Sequence, residues 1–235
     1  MRIKIGMENN IEGRSLAWAL DYPGCFAYGS EGSEAIIRAP QALLRYKEWV
    51  DSHLPDSWMK DLEDFDVHLE ESVDDYTINN EFELAADGYE VNAWFRHDWK
   101  PLSAEDIRRG MLTLSWSRED LLEMVAGLTP SQMACEFEGE RWSIAGILRH
   151  VANAEHWYLS RLGLAASTRQ ELPEDVFERL LTVRRHLDSV LPALAGCTTV
   201  VGIDGEFWSA RKLLRRAAWH EIDHIDHIFK LMDKL

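Results

Sequence analysis

Of the nine histidines in this chain of 235 residues, three fall within eight consecutive positions near its end, at His220, His224 and His227. The segment around them, from Trp208 to Ile228, has the periodicity of a helix. At 3.6 residues per turn the three imidazoles stand on nearly one face. Two histidines spaced i, i+4 can grip one metal ion, because their ring nitrogens reach a common point. A polar stripe on an exposed terminal helix would show the same spacing. A third ligand from elsewhere in the chain separates the two cases, and it would force a second helix to pack beside this one.

The run His220-Glu221-Ile222-Asp223-His224 also fits the HExxH pattern of zinc metallopeptidases. One large class of these takes its third ligand from a downstream helix, but only eleven residues follow His224. The metzincin pattern asks for glycine and histidine where this chain has His227 and Lys230. A peptidase is therefore not expected. Upstream, the stretch from Trp142 to Leu162 opens on Ser143, a good N-cap, and carries His150 amid Ile147, Val151 and Ala154. Alone on an apolar face, His150 would read as a satisfied core residue. Beside a histidine pair on another helix it becomes a candidate ligand.

An apolar fraction of 46% supports a sizeable core, and the length suits one large domain or two ordinary ones. No apolar run has membrane-spanning length, and the first residues lack a signal peptide's apolar block. Cys25, Cys135 and Cys197 are widely spaced, which argues against a disulfide framework and for a cytoplasmic location. Residues 1–100 hold 21 acidic and 9 basic side chains, so −12 of the total −16 lies there. Such a surface repels phosphates, so no nucleic-acid partner is expected; solubility or a basic protein partner accounts for the charge.

In chain order, residues 1–30 have strand character, with Tyr22-Pro23-Gly24 as a turn and Cys25 to Gly29 as a short third strand. A helix is expected from Ser33 to His53, kinked or late-starting at Pro40. The turn Pro23-Gly24-Cys25-Phe26, then Tyr28-Gly29, then a helix opening on Ser33-Glu34-Ala35, resembles the HicB-like antitoxin fold. The resemblance covers residues 1–52 and implies a small α+β domain that pairs with a partner protein. The chain departs from that pattern in an acidic insertion, Asp61 to Asp75. A hairpin around Asp87-Gly88 is expected to extend the N-terminal sheet. From Ser103 the chain is expected to be helical to its end, in helices over 103–127, 143–162, 174–194 and from 209 onward. The predicted organisation is thus α+β: residues 1–97 as an N-terminal α+β domain, and residues 98–235 as an all-α four-helix bundle.

Trp142-Ser143, His150 seven residues on, and the pair His220 and His224 closely resemble the DinB-like metal-binding bundle family in order and spacing. The resemblance covers about residues 100–235. It implies that His150, His220 and His224 hold a divalent metal, zinc or nickel, at one end of the bundle. His227 lies one turn further and is a further ligand, a neighbour of the ligands or a surface residue. Three imidazoles leave a coordination position open, the arrangement of a catalytic zinc site. Family members include thiol-dependent transferases and an isomerase. Two expectations follow. One is a metal-dependent transferase or hydrolase acting on a small molecule, with a low-molecular-weight thiol as cosubstrate and Glu221 as candidate catalytic base. The other is a non-catalytic metal- or ligand-binding module whose acidic HicB-like domain docks on a protein partner; a homo-oligomer fits either. Glu155 and Asp223 are candidate acids for the distal imidazole nitrogens.

Overall fold

The alternation of Ile3, Ile5 and Met7 makes Arg2–Ile11 (β1) an inner strand of a four-stranded sheet in the computed structural model, which describes residues 1–235. Arg14–Ala19 (β2) pairs antiparallel with β1, and Phe26–Gly29 (β3) pairs antiparallel with β2. Gly32–His53 (α1) packs on β2 and β3, burying Ala35, Ala39, Leu43, Tyr46 and Val50 at helical spacing, with Pro40 inside it. Asp66–Asp74 (β4) lies parallel to β1 and gives the order β3-β2-β1-β4.

Three expectations need correction. The segment read as an acidic insertion supplies β4. Its acidic side chains sit on an edge strand, where polar residues face water and weaken the alternation. The hairpin around Asp87-Gly88 forms, as Tyr76–Ile78 (β5) and Tyr89–Val91 (β6), but it is a separate two-stranded sheet. The back half is not helical throughout: Val200–Ile203 (β7) and Glu206–Ser209 (β8) pair antiparallel before the last helix. Their turn is Asp204-Gly205, with φ of 51° and 78°, the left-handed pair that a two-residue hairpin turn demands.

That hairpin belongs with the front of the chain. The protein forms two compact units, Met1–Lys100 with Val200–Lys212, and Pro101–Thr199 with Leu213–Leu235. Within the first unit Glu206 is fully buried. Its carboxylate accepts from Lys212 Nζ at 2.6 Å, Tyr89 Oη at 2.5 Å and Trp208 Nε1 at 3.0 Å. Ser209 Oγ donates to Asp98 O at 2.7 Å, and Arg211 Nε to Lys100 O at 3.0 Å. A second buried carboxylate, Glu8 on β1, accepts from Trp18 Nε1 at 2.7 Å and Ala93 N at 2.8 Å. These bonds replace water for both acids and tie distant segments to the sheet.

The second unit is built on Ala104–Val125 (α2), the single turn Pro130–Met133 (α3), Ile144–Arg161 (α4), Val176–Val190 (α5) and most of Ala210–Met232 (α6). Ser103 and Asp106 cap α2 reciprocally, as their spacing predicts: Asp106 N donates to Ser103 Oγ at 3.0 Å and Ser103 N to Asp106 Oδ2 at 2.8 Å. Leu121 and Val125 of α2, Ile147, Leu148 and Val151 of α4, Leu180 of α5, and Ile228 and Leu231 of α6 form one apolar cluster. The architecture is mixed, with the main sheet in the front of the chain and long helices in the back. No helix is long and apolar enough to cross a membrane.

Gly29 ends β3 where the chain turns into α1. A Cβ there would stand 2.3 Å from Ala35 N and 2.7 Å from Glu31 O, backbone atoms that cannot yield without moving the helix. Gly29→Ala is expected to destabilise the protein by about 1–3 kcal/mol or more in urea denaturation, although alanine is the better former of regular structure.

Candidate metal centre

Within the second unit, α6 is buried without a break from Leu213 to Glu221. His220 and His224 lie on it one turn apart, each 8% exposed. Helix α4 starts at Ser143, whose Oγ accepts from Gly146 N at 3.2 Å, and presents His150 two turns in. The two helices bring three imidazole tips together. His150 Nε2 and His220 Nε2 are 3.0 Å apart, and His220 Nε2 and His224 Nε2 are 3.2 Å apart. One nitrogen from each of the three rings lies within 4.8 Å of the others. The ring planes are tilted by 56° to 89° to one another, so the tips meet and the faces do not stack.

This donor set fits a metal ion. Nitrogens bound tetrahedrally to zinc at about 2.0–2.1 Å stand about 3.3 Å apart, close to the two measured separations. An N–H on His220 Nε2 could serve only one of its two neighbours, whereas a cation can take a lone pair from each ring. Burial pushes the His220 imidazole well below its ordinary pKa, and His224, His150 and the Arg216 guanidinium push it the same way. Burial likewise brings His224 down to about 3, with His150 and His227 adding to the effect. Both rings are therefore neutral near pH 7, the state in which a lone pair is offered to a metal.

Aromatic rings frame the cluster. Trp142 stacks on His150 at 4.3 Å, and the Arg141 guanidinium lies over Trp142 at 4.5 Å. Tyr158 turns its edge to His220 at 6.1 Å. His227 stands apart from the three converging nitrogens. Its Nε2 lies 2.9 Å from Glu140 Oε2, and Lys234 Nζ donates to Glu140 Oε1 at 3.2 Å. His156, though buried on α4, donates from Nε2 to Ser167 O at 2.9 Å, a structural use.

The acids near the histidines are differently employed than expected. Glu221 accepts from Ser117 Oγ at 2.8 Å, Arg118 Nε at 2.5 Å and Arg184 Nη2 at 2.6 Å. Burial alone would raise its pKa, but the Arg184 and Arg118 guanidiniums outweigh burial and hold the carboxyl below the usual range. Both oxygens are engaged by strong donors, which makes Glu221 an anchor rather than a free base. Glu155 accepts from Arg184 Nη2 at 2.7 Å and Arg118 Nη2 at 3.4 Å, so its carboxylate serves the two guanidiniums. Asp223 is half-buried on α6.

Sequence reasoning passed over Arg118 and Arg184. Their signal was present: each interrupts an apolar stripe, Arg118 between Leu114 and Leu121, Arg184 between Leu180 and Leu187. Glu155 and Glu221 interrupt the stripes of α4 and α6 in the same way. Two basic and two acidic interruptions, one per long helix, announce a balanced buried cluster.

The chain is thus a mixed α and β protein with three histidines converging from two helices of its second unit. Residues 113–228 match the family model of the DinB superfamily, a stretch that contains His150, His220 and His224 and makes this part of the chain DinB-like. No curated protein and no solved structure matches the chain. Nothing in these comparisons supports the HicB-like resemblance of residues 1–52.

The anchoring role of Glu221 is open to measurement. Glu221→Gln leaves two buried guanidiniums short of a charge partner, and is expected to cost about 3–5 kcal/mol of stability in chemical denaturation. Unchanged stability would count against an anchor and return Glu221 to the list of reactive groups.

Proposed function

We propose that the protein binds one divalent metal ion through His150, His220 and His224, within a four-helix bundle of the DinB kind formed by α2, α4, α5 and α6. The observation that carries this is the convergence of one nitrogen from each of three imidazoles within 4.8 Å, with His220 and His224 buried and His150 half-buried. Imidazole donors suit several divalent ions, zinc and nickel among them. When bound, such an ion supplies a Lewis acid with a coordination position left for a small molecule. The chain's own residues do the rest: three histidines hold the ion, Trp142 braces the His150 ring, and Glu221 and Glu155 fix the helices. A metal-dependent transferase or hydrolase acting on a small molecule is the activity this arrangement supports best. No cysteine joins the three histidines, so thiol chemistry would draw on a separate low-molecular-weight thiol.

A second proposal is a non-catalytic metal-binding module that docks on a basic protein partner. It is favoured by the net −12 on residues 1–100 and by the acidic edge strand β4. Turnover of small electrophiles with added thiols, abolished by chelator, would separate the first from the second.

Elemental analysis tests the site itself. Wild-type protein is expected to carry about one metal ion per chain, and His150→Ala and His224→Ala to lose it. His227→Ala is expected to retain it. Full metal content in His150→Ala would remove α4 from the site.

A further inference from the structure

The buried cluster of Arg118, Glu155, Arg184 and Glu221 takes one side chain from each of α2, α4, α5 and α6, and all four are more than nine-tenths buried. A single nitrogen, Arg184 Nη2, reaches Glu155 Oε2 at 2.7 Å and Glu221 Oε2 at 2.6 Å. Arg118 reaches the same two acids from α2. The arginines also exchange backbone bonds: Arg118 Nη1 donates to Leu180 O on α5 at 2.8 Å, and Arg184 Nη1 donates to Leu114 O on α2. Two positive and two negative charges balance, so the cluster is stable out of water only while these directions are kept.

The two acids sit on the helices that carry the histidines. Glu221 adjoins His220, and Glu155 lies five residues past His150, about 7.5 Å along the axis of α4. Apolar stripes are non-directional and tolerate sliding, whereas forked ion pairs fix register. A three-nitrogen site needs its donors placed to within about 0.5 Å. We infer that Arg184 is a positioning residue for the metal centre. By bridging Glu155 and Glu221 it sets the register of α4 against α6, and with it the gap between His150 Nε2 and His220 Nε2. This rests on the metal-binding role proposed above.

Cobalt(II) is the probe, because its visible bands report ligand geometry and its affinity can be measured by competition with a chelator. Two variants are compared with wild type: Arg184→Lys, which keeps the charge and loses the fork, and the double variant Glu155→Gln with Arg184→Gln, which leaves Arg118 and Glu221 as a balanced pair. Leu187→Ala, a core truncation on the same helix, serves as control. Folding of each is followed by circular dichroism without metal. Both cluster variants are expected to fold, to bind cobalt about 10–100-fold more weakly, and to shift its visible bands. Leu187→Ala is expected to melt lower and keep the wild-type spectrum and affinity. Wild-type spectrum and affinity in either folded cluster variant would overturn the positioning role while leaving the metal site standing. Wild-type protein that takes up no cobalt would overturn both.

Discussion

Four charged side chains out of reach of water set the terms for the helical half of this protein. Each buried ion loses several kcal/mol of hydration, and only close, well-directed partners make up the loss. Arg118, Glu155, Arg184 and Glu221 meet that condition because every long helix of the second unit contributes one of them. Apolar packing around Leu121, Ile147, Val151, Leu180 and Ile228 supplies the bulk of the cohesion, yet it would permit several alignments. The ion cluster adds directed bonds that join all four long helices. The histidines therefore stand one turn or so from the most directionally demanding place in the fold.

This proximity also divides the labour along α6. Glu221 faces guanidiniums and stays ionised, while His220 next to it faces other imidazoles and stays neutral. Neighbours one residue apart on a helix differ by about 100° in direction, which is enough to place them in opposite electrostatic surroundings. The acid inside an HExxH pattern is thus not a base by virtue of the pattern. What its carboxylate touches decides its use, and here it touches Ser117, Arg118 and Arg184.

Much of the helical half was legible in the sequence, because its signals are local. Ser143 marks a helix start, the spacing of His220 and His224 marks a shared face, and His150 stands out on an apolar stripe. The ion cluster went unread because charge inside a stripe looks like noise on any one helix; it acquires meaning only when four helices are compared. The strand β4 was obscured by its acidic edge. The β7–β8 hairpin carries the same Asp-Gly signal as Asp87-Gly88, but Asp204-Gly205 lies between two segments of helical periodicity. The separate pairing of β5 with β6 depends on what packs beside them, which no local pattern records.

The membership of Val200–Lys212 in the first unit bears on how the chain is made. Tyr89, Asn92, Asp98 and Lys100 find partners among Glu206, Lys212, Ser209 and Arg211, more than a hundred residues later. At a ribosome's pace of about 5–20 residues per second, those partners emerge roughly 5 to 22 seconds after residue 100. The front of the chain must wait, incomplete, while Pro101–Thr199 of the helical half is synthesised. Order of synthesis and order of completion are thereby decoupled, and a chain stalled between residues 100 and 200 would hold a first unit without the partners of Tyr89 and Asp98.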